Sequence, residues 1–308
     1  MFVERFVTGQ DPSVNNQRWH RHPGNPILRP TPGSWTEDWI ANETVIRIGD
    51  RYFMYLDGKR GPVEKVGVAT VEMEKFDGIT WEEYAGNPIL DVGPKGYDHV
   101  SVLDPSVLHY KGQVWMYYTG IGGPPDHICL AISEDGYHFT KYDKNPILVG
   151  RCPHAIVRED VLYLFYLAFN EVGGYDVRLA TSKNGIDFVQ HERRPILARG
   201  AGADWDSFSI VTTRIFYEDG IYNMLYAGDW ERVDEPRGFG LATSGDLVNW
   251  EKFEDNPIFL PGQPDEWDSE AIWCPWVHKH GDKYLMWYCG SSTTYVEGLT
   301  PQVGLATI

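Results

Sequence analysis

The segment LAISEDGYHFTKYDKNPIL, from Leu130 to Leu148, contains the pattern that decides the fold. It begins as a short apolar stretch, turns at Asp135-Gly136, passes the aromatic Phe139 and reaches Asn145-Pro146-Ile147. Alternating residues that end in an Asp-Gly pair are a strong short-range signal for a β-hairpin. The segment therefore predicts antiparallel strands, and helical periodicity is absent from it.

The same pattern recurs along the chain. The marker Asn-Pro-Ile, or its variant Arg-Pro-Ile, occurs at Asn25-Pro26-Ile27, Asn87-Pro88-Ile89, Asn145-Pro146-Ile147, Arg194-Pro195-Ile196 and Asn256-Pro257-Ile258. An aromatic residue stands six positions before each marker, at Trp19, Trp81, Phe139, Phe188 and Trp250. After each marker come a strand, a polar turn and a strongly aromatic strand. Units of roughly 50–60 residues with about four strands each are typical of propeller blades.

The two ends of the chain complement each other. The last residues, VGLATI (Val303 to Ile308), match GLATS at Gly240 to Ser244, so the last unit lacks its aromatic residue and its marker. Trp19 through Ile27 supplies a spare copy of both. We therefore predict an all-β, five-bladed β-propeller, a single domain over residues 1–308, which the N-terminal segment closes by completing the last blade.

Charge and composition exclude several functions. With 27 basic and 44 acidic residues the formal net charge is −17, which repels nucleic-acid phosphates and gives no polybasic attraction to a membrane. The N-terminal MFVERFVTGQ lacks the pattern of a signal peptide, and the four cysteines are too scattered for a disulfide framework or a zinc site. We expect a cytoplasmic protein with no nucleic-acid or membrane partner and no cofactor; the sequence does not indicate an oligomeric state.

Residues that recur between the units are expected to be structural. Trp35, Tyr97, Trp205 and Trp267 occupy equivalent positions, and so do the neighbouring Asp98, Asp206 and Asp268. We interpret these carboxylates as caps of backbone amides at the rim turns. A polar residue that differs from its equivalents is a better functional candidate.

The innermost strands contain such a residue. Their equivalent first positions are Asn42, Asp104, Cys152, Thr212 and Cys274, and Asp104 is the one carboxylate among them. Two residues further, on the same face of each strand, stand Thr44, Ser106, His154, Arg214 and Trp276. Arg151 stands one residue before Cys152, in the third unit. A buried ion pair of Asp104 with Arg214 is the structural alternative, and one histidine is not a metal-ligand set.

Cleavage of a glycosidic bond needs a second group, a base or nucleophile, opposite the proton donor. Glu270 differs from its equivalents, which are Asp38, Val100 and Phe208, so we favour Glu270, with Asp38 and Asp229 as reserves. Glu43 should point away from the channel if side chains alternate. The predicted substrate-binding residues are Asp38, Asn42, Glu43, Arg151, His154, Arg214, Asp229 and Trp273.

These motifs resemble a known group of enzymes. The markers, the Ser-x-Asp-Gly hairpins and Leu103-Asp104-Pro105-Ser106 resemble the five-bladed glycosidases of glycoside hydrolase families 43, 32 and 130. Families 43 and 32 carry an acid on the first blade and a catalytic glutamate on the third, where this chain has Asn42 and Arg151. The pattern is most similar to family 130, with Asn on the first blade and an Asp-Pro whose Asp donates the proton.

The resemblance implies an inverting glycoside hydrolase with Asp104 as general acid and Glu270 activating water. Two alternatives stay open. A glycoside phosphorylase is one, although Ser106 stands where the phosphorylases of family 130 carry Arg. A non-catalytic carbohydrate-binding propeller is the other, because two acidic positions are replaced. In each case the predicted ligand is a small carbohydrate.

Overall fold

The computed structural model describes Phe2, residues 19–192 and residues 194–308. The N-terminal stretch MFVERFVTGQ, on which the signal-peptide prediction rests, lies outside the described residues, apart from Phe2. The described chain is all-β, and its one helical element is a short 3₁₀ helix at Met73–Lys75. It contains no apolar helix of the length that a bilayer requires.

The strands, numbered along the chain, form five antiparallel sheets, and the predicted five-bladed propeller is confirmed. The first strands of the blades are β2 (Trp39–Ile48), β6 (Ser101–Tyr110), β11 (Arg151–Arg158), β15 (Ser209–Glu218) and β19 (Ala271–His280). The second strands are β3 (Arg51–Arg60), β7 (Gln113–Ile121), β12 (Val161–Phe169), β16 (Ile221–Asp229) and β20 (Lys283–Ser291).

The outer half of each blade is shorter. The third strands are β4 (Val63–Glu72), β8 (His127–Ser133), β13 (Tyr175–Ser182), β17 (Gly238–Ser244) and β21 (Gln302–Thr307). The fourth strands are β1 (His20–Arg21), β5 (Glu82–Glu83), β9 (Thr140–Lys141), β14 (Val189–Gln190) and β18 (Glu251–Lys252). In the second blade a further strand, β10 (Leu148–Val149), also pairs with β8.

The fifth sheet takes strands from both ends of the chain. Its order is β1-β21-β20-β19, and His20 pairs with Thr307. In the other four blades the fourth strand follows directly in sequence. The N-terminal strand therefore occupies the place that β5, β9, β14 and β18 occupy elsewhere.

The repeated Asn-Pro-Ile marker has a structural cause. In the first blade the Asn87 carboxamide accepts from the Val68 amide and donates to the Val68 carbonyl, both at 2.9 Å. It thereby satisfies both polar groups of a third-strand residue, as a strand neighbour would. Asn145, Asn256 and Asn25 bind Leu130, Leu241 and Leu305 in the same way. The N-terminal marker thus binds the third strand β21 as the internal Asn markers bind the third strands of their own blades.

The recurring aspartates have partners other than the expected backbone caps. Asp206 does accept one amide, from Gly200, but its other oxygen binds the Tyr226 hydroxyl and Lys252 of the fourth strand. Asp98 and Asp268 repeat this arrangement with a second-strand tyrosine and a fourth-strand cation. Each aspartate therefore joins the loop before the first strand to the second and fourth strands of its blade.

In the fifth blade the cation comes from the N-terminal strand. Arg21 donates to Asp268 at 2.8 Å, and its guanidinium lies 4.3 Å from the centre of the Phe259 ring. We predict that Asp268→Asn lowers the free energy of unfolding by about 2 kcal/mol, because a charged hydrogen bond is lost. It should also speed hydrogen exchange of the amides in β1.

The matched control is Asp206→Asn, which removes the equivalent contact with Lys252 in the fourth blade. Thermal unfolding and hydrogen exchange measure both effects. Asp206→Asn should reduce stability without changing exchange in β1. Equal exchange in β1 for both variants would contradict the role given to Arg21.

Candidate active site

All five first strands are interrupted at the same point by a β-bulge. The register shifts between Ala41 and Thr44 in the first blade, and at the equivalent position in the other four. The bulged residues have left-handed backbone, with φ between 42° and 58°: Asn42, Asp104, Cys152, Thr212 and Cys274. They are the five equivalent positions recognised in the sequence. Left-handed backbone is uncommon outside glycine, and a bulge re-aims the side chain it carries.

At four of the five bulges a side chain of the preceding blade binds the backbone amide that the bulge frees from the ladder. Asp104 N–H donates to Asp57 Oδ2 at 2.9 Å, and Cys152 N–H donates to Thr119 Oγ1 at 2.9 Å. Asn42 N–H donates to the Cys289 sulfur at 2.9 Å. These three acceptors stand at the same position of their second strands. Neighbouring blades are therefore joined where the bulged side chains converge.

A cavity of about 300 Å³ lies over these bulges. Its lining includes Asn42, Asp104, Cys152 and Thr212 from the bulges, with Asp57, Lys59, Glu64, Arg151, Asp234, Trp39, Trp273 and Tyr295 around them. The volume is at the lower end of the range for small-molecule pockets. Carboxyl groups outnumber cations in this lining, and the indole rings of Trp39 and Trp273 give it apolar faces.

Asp104 lies buried on the floor of the cavity and receives three side-chain donors. Asn42 Nδ2 donates to Oδ1 at 2.9 Å, while Thr119 Oγ1, at 2.7 Å, and the Cys152 thiol, at 3.2 Å, donate to Oδ2. Burial raises the pKa of the Cys152 thiol, so this group stays protonated and able to donate. The carboxyl of Asp104 is therefore held in one orientation.

Asn42 connects Asp104 to a second carboxyl group. The same Nδ2 donates to Asp57 Oδ2 at 2.6 Å. The Cys274 thiol donates to Asn42 Oδ1 at 2.7 Å, so the carboxamide oxygen faces the thiol and its NH₂ group faces the two carboxyls. The reverse orientation would set a carbonyl oxygen against both aspartates. An asparagine at this position therefore bridges two acids that a third carboxylate would repel.

Asp57 is buried and lines the cavity, and its Oδ1 atom has no hydrogen-bond partner in the structure. Burial raises the pKa of Asp57 well above its usual range, and the nearby Asp104 raises it further. Two carboxyl groups in one buried site resist ionising together.

The upper wall carries two further acids. Burial raises the pKa of Glu64 to about 7, and Lys59, whose Nζ is 3.9 Å from its carboxylate, partly offsets this. Asp234 lies 3.3 Å from the Arg151 guanidinium, which also donates to the Tyr175 hydroxyl. Burial raises the pKa of Asp234, whereas Arg151 lowers it. Both cations of the cavity are thus partly neutralised by carboxylates.

The structure brings four of the predicted residues together in the cavity: Asn42, Asp104, Arg151 and Trp273. Trp273 donates its indole N–H to the Asp234 carbonyl at 2.9 Å, which fixes the loop that carries Asp234. These four lie on first strands, where the repeat defines the direction of each position.

Glu270, Asp38 and Asp229 lie outside this lining. Glu270 borders a separate surface depression and is 3.3 Å from Arg232. Asp38 accepts from the Gly61 amide at the surface, and the buried Asp229 forms a two-pronged ion pair with Arg237 at 2.7 and 2.9 Å. The spacing that singled out these carboxyls places them at the rim but does not define which way their loops turn.

His154 and Arg214 are buried but do not belong to the cavity lining. His154 Nε2 accepts from the Ile215 amide of the next blade at 3.0 Å, and burial lowers the pKa of His154 to about 3. The histidine is therefore neutral and joins the third blade to the fourth. The alternative of an Asp104–Arg214 ion pair does not occur among the described residues, since Asp104 is held by the three donors named above.

Glu43 departs from the expected alternation because it is part of the bulge. It is buried, accepts from the Cys289 thiol at 2.9 Å and lies within electrostatic range of Arg214 in the fourth blade. An electrostatic interaction between the first blade and the fourth indicates that Glu43 faces the channel. It lies outside the cavity lining, in the buried layer that also contains His154 and Arg214.

Sequence reasoning missed Asp57, Glu64 and Asp234. A signal for Asp57 existed, because its equivalents on the second strands are Thr119, Leu167, Ala227 and Cys289, and it is the one acid among them. Glu64 stands at the start of a third strand, and Asp234 in an irregular loop between β16 and β17. No repeated position identifies either of these.

Comparison with known sequences identifies distant relatives. No family model matches the chain. An uncharacterised protein of Mycobacterium tuberculosis is 24% identical over 279 residues, which cover 82% of this chain and 90% of that protein. A 1,2-β-oligomannan phosphorylase from a Thermoanaerobacter species is 25% identical over 198 residues, 57% of this chain and 59% of the enzyme.

Solved structures share the fold over nearly the whole chain. The β-1,2-mannobiose phosphorylase of Listeria innocua, solved with β-1,2-mannobiose, has a TM-score of 0.74 at 14% identity and covers 94% of this chain and 96% of its own. A second structure concerns glycoside hydrolases of the GH130 family of mannoside phosphorylases that target β-1,2 mannosidic linkages in Candida mannan. It has a TM-score of 0.73 at 16% identity, and the match covers 97% of this chain and 96% of the other. The resemblance to propeller glycosidases therefore holds for the fold.

The buried Glu43 gives a prediction for stability. Burial raises the pKa of Glu43 to about 7, so the folded state binds more protons than the unfolded state between about pH 4.3 and 7. Stability that Glu43 contributes at low pH is lost as the pH rises through this window. We predict that Glu43→Gln is more stable than the wild type at pH 8, by up to about 3 kcal/mol, because one pKa unit is about 1.4 kcal/mol.

Thermal or urea unfolding at pH 4 and pH 8 measures this difference. The advantage of Glu43→Gln should nearly disappear at pH 4, where the wild-type carboxyl is mostly protonated in both states. An advantage of equal size at both values would show that the ionisation of Glu43 does not contribute.

Proposed function

We propose that this protein is a glycoside hydrolase that cleaves its bond in the cavity over the bulges, with Asp104 donating the proton to the leaving oxygen. The observation that carries the proposal is the floor of the cavity, where Asp104 is buried and oriented by three donors beside a second carboxyl. A glycosidase needs one carboxyl as acid and another to activate water. Trp39 and Trp273 provide faces on which a sugar ring can stack.

The charge of the cavity favours water over phosphate as the attacking group. Among the described lining residues the carboxyls are Asp57, Glu64, Asp104 and Asp234, and the cations are Lys59 and Arg151. Each cation already lies near a carboxylate. An inorganic phosphate would enter this field without a free cationic partner, which is unfavourable. The phosphorylase names among the relatives make phosphorolysis the second candidate.

The group that activates water is Asp234 in this proposal. In an inverting enzyme the base acts on the face of the sugar opposite the acid. Asp234 comes from the fourth blade, two blades away from Asp104 around the ring. Glu64 is closer in the ring, since its amide binds Ser101 at the start of the second blade. We assign Arg151, Asn42 and Glu64 to hydrogen bonds with sugar hydroxyls.

The first test is the variant Asp104→Asn. Its turnover of the sugar that the wild type cleaves best, chosen from a panel of aryl glycosides and manno- and arabino-oligosaccharides, should fall about 10²- to 10⁴-fold. The fold should be retained, because Asn keeps the size and accepts from Thr119. Circular dichroism and the melting temperature control for folding.

Phosphate distinguishes the two candidate reactions. Wild-type product release should be unchanged when inorganic phosphate is added or removed. Release that requires phosphate would establish a phosphorylase. Saturable sugar binding with no turnover on any substrate would leave a binding protein and refute an enzyme of either kind.

A second set of variants locates the base. Asp234→Asn should lower kcat by about 10²-fold or more, because the attacking water loses its base. Glu64→Gln should act mainly on KM. Glu270→Gln is the comparison, since Glu270 borders a different depression and should retain turnover. A loss confined to Glu270→Gln would instead support the assignment made from the sequence.

A further inference from the structure

The carboxyl group of Asp57 is not assigned a role by the reaction described so far. It lies in the cavity lining beside Asp104, on the second strand of the first blade, and its Oδ1 is unpartnered. Its Oδ2 accepts from the Asp104 amide at 2.9 Å and from Asn42 at 2.6 Å. One carboxamide NH₂ group therefore donates to both acids, at Asp57 Oδ2 and Asp104 Oδ1.

The donors determine where a proton can lie. Asp104 receives Asn42 on one oxygen and both Thr119 and Cys152 on the other. The Thr119 hydroxyl donates to Asp104 Oδ2 and accepts from the Cys152 amide. The oxygens of Asp104 are thus occupied by donors, which suits the ionised form. No hydrogen-bond donor among the described residues binds Asp57 Oδ1. A proton on this oxygen is therefore not repelled by the hydrogen of a neighbouring donor.

We propose that Asp57 and Asp104 form a carboxyl pair that shares one proton at neutral pH, and that Asp57 stores this proton while the cavity is empty. This inference rests on the proposed function. During the reaction the stored proton passes from Asp57 to Asp104, Asp104 gives it to the leaving-group oxygen, and both carboxyls are then ionised. The attacking water supplies the hydroxyl to the sugar and its proton to the base, from which it passes to solvent. Solvent then reprotonates the pair.

The surroundings are consistent with a shared proton. Burial and the charge of Asp104 both raise the pKa of Asp57, and Glu64 raises it further. The other titratable groups that line the same cavity are Lys59, Glu64, Arg151, Cys152, Asp234, Cys289 and Tyr295. The two cations lie near Glu64 and Asp234 and do not form ion pairs with the aspartate pair. Arg151 interacts with Asp104 without forming an ion pair, so a second negative charge on the aspartate pair is only partly compensated.

The variant Asp57→Asn tests the pair. Its carboxamide oxygen can still accept from Asn42 and the Asp104 amide, so the floor keeps its geometry while the shared proton is lost. We expect the basic limb of the kcat profile to move down by about one pH unit or more, because the pair that holds the proton is broken. At neutral pH kcat should fall at least about tenfold and recover partly in acid.

Asp176→Asn is the matched control. Asp176 is equally buried and paired with Arg199, but it lies in the third blade outside the cavity lining. Its variant should leave the basic limb in place. An unchanged basic limb in Asp57→Asn would overturn the proposal and leave Asp57 as a cap of the bulge.

An infrared difference spectrum separates this inference from the proposed function, because it needs no turnover. At pH 7 the wild type should show the carbonyl band of a protonated carboxylic acid that is missing in Asp57→Asn. Glu43→Gln and Glu64→Gln identify any bands of those two acids. If Asp57→Asn removes no such band, the pair holds no proton and the inference fails, whether or not the protein is a hydrolase.

Discussion

The constraint on which this structure depends is the left-handed bulge that interrupts each first strand. The bulge costs backbone strain in residues such as Cys152 and Thr212, which have φ of 48° and 42°. It releases amides, four of which are bound by side chains of the preceding blade, and it turns four of the five bulged side chains into the cavity lining. One local distortion, repeated around the ring, therefore both joins the blades and builds the floor of the site.

The chemistry follows from which side chains occupy these equivalent positions. Where the second strand supplies Thr119 or Cys289, the released amide is bound by a neutral group. Where the second strand supplies Asp57, the hydrogen bond from the released amide places a second carboxyl next to Asp104. Asn42 makes this proximity tolerable, because its NH₂ group donates to both acids. The same three residues thus meet a structural requirement and a requirement of the proposed reaction.

The repeat in the sequence predicted the fold because each marker has a fixed hydrogen-bonding task, as Asn87 and Asn145 show. It also predicted four cavity residues on first strands, Asn42 and Asp104 among them, but not that His154 and Arg214 lie outside the cavity lining. It could not locate Asp234, whose loop has no equivalent in the other blades. The orientation of Glu43 was missed because alternation ends at a bulge. Proline in the middle of a central strand, as in Asp104-Pro105, was the available sign of that bulge.

The proposed reaction requires a sugar to be bound with its scissile bond at Asp104. A crystal structure of Asp104→Asn with the oligosaccharide that the wild type cleaves tests this most directly. We expect an intact sugar in the cavity, with its glycosidic oxygen within hydrogen-bonding distance of residue 104 and a ring against Trp39 or Trp273. A sugar bound outside the cavity, or with its glycosidic oxygen remote from residue 104, would contradict it.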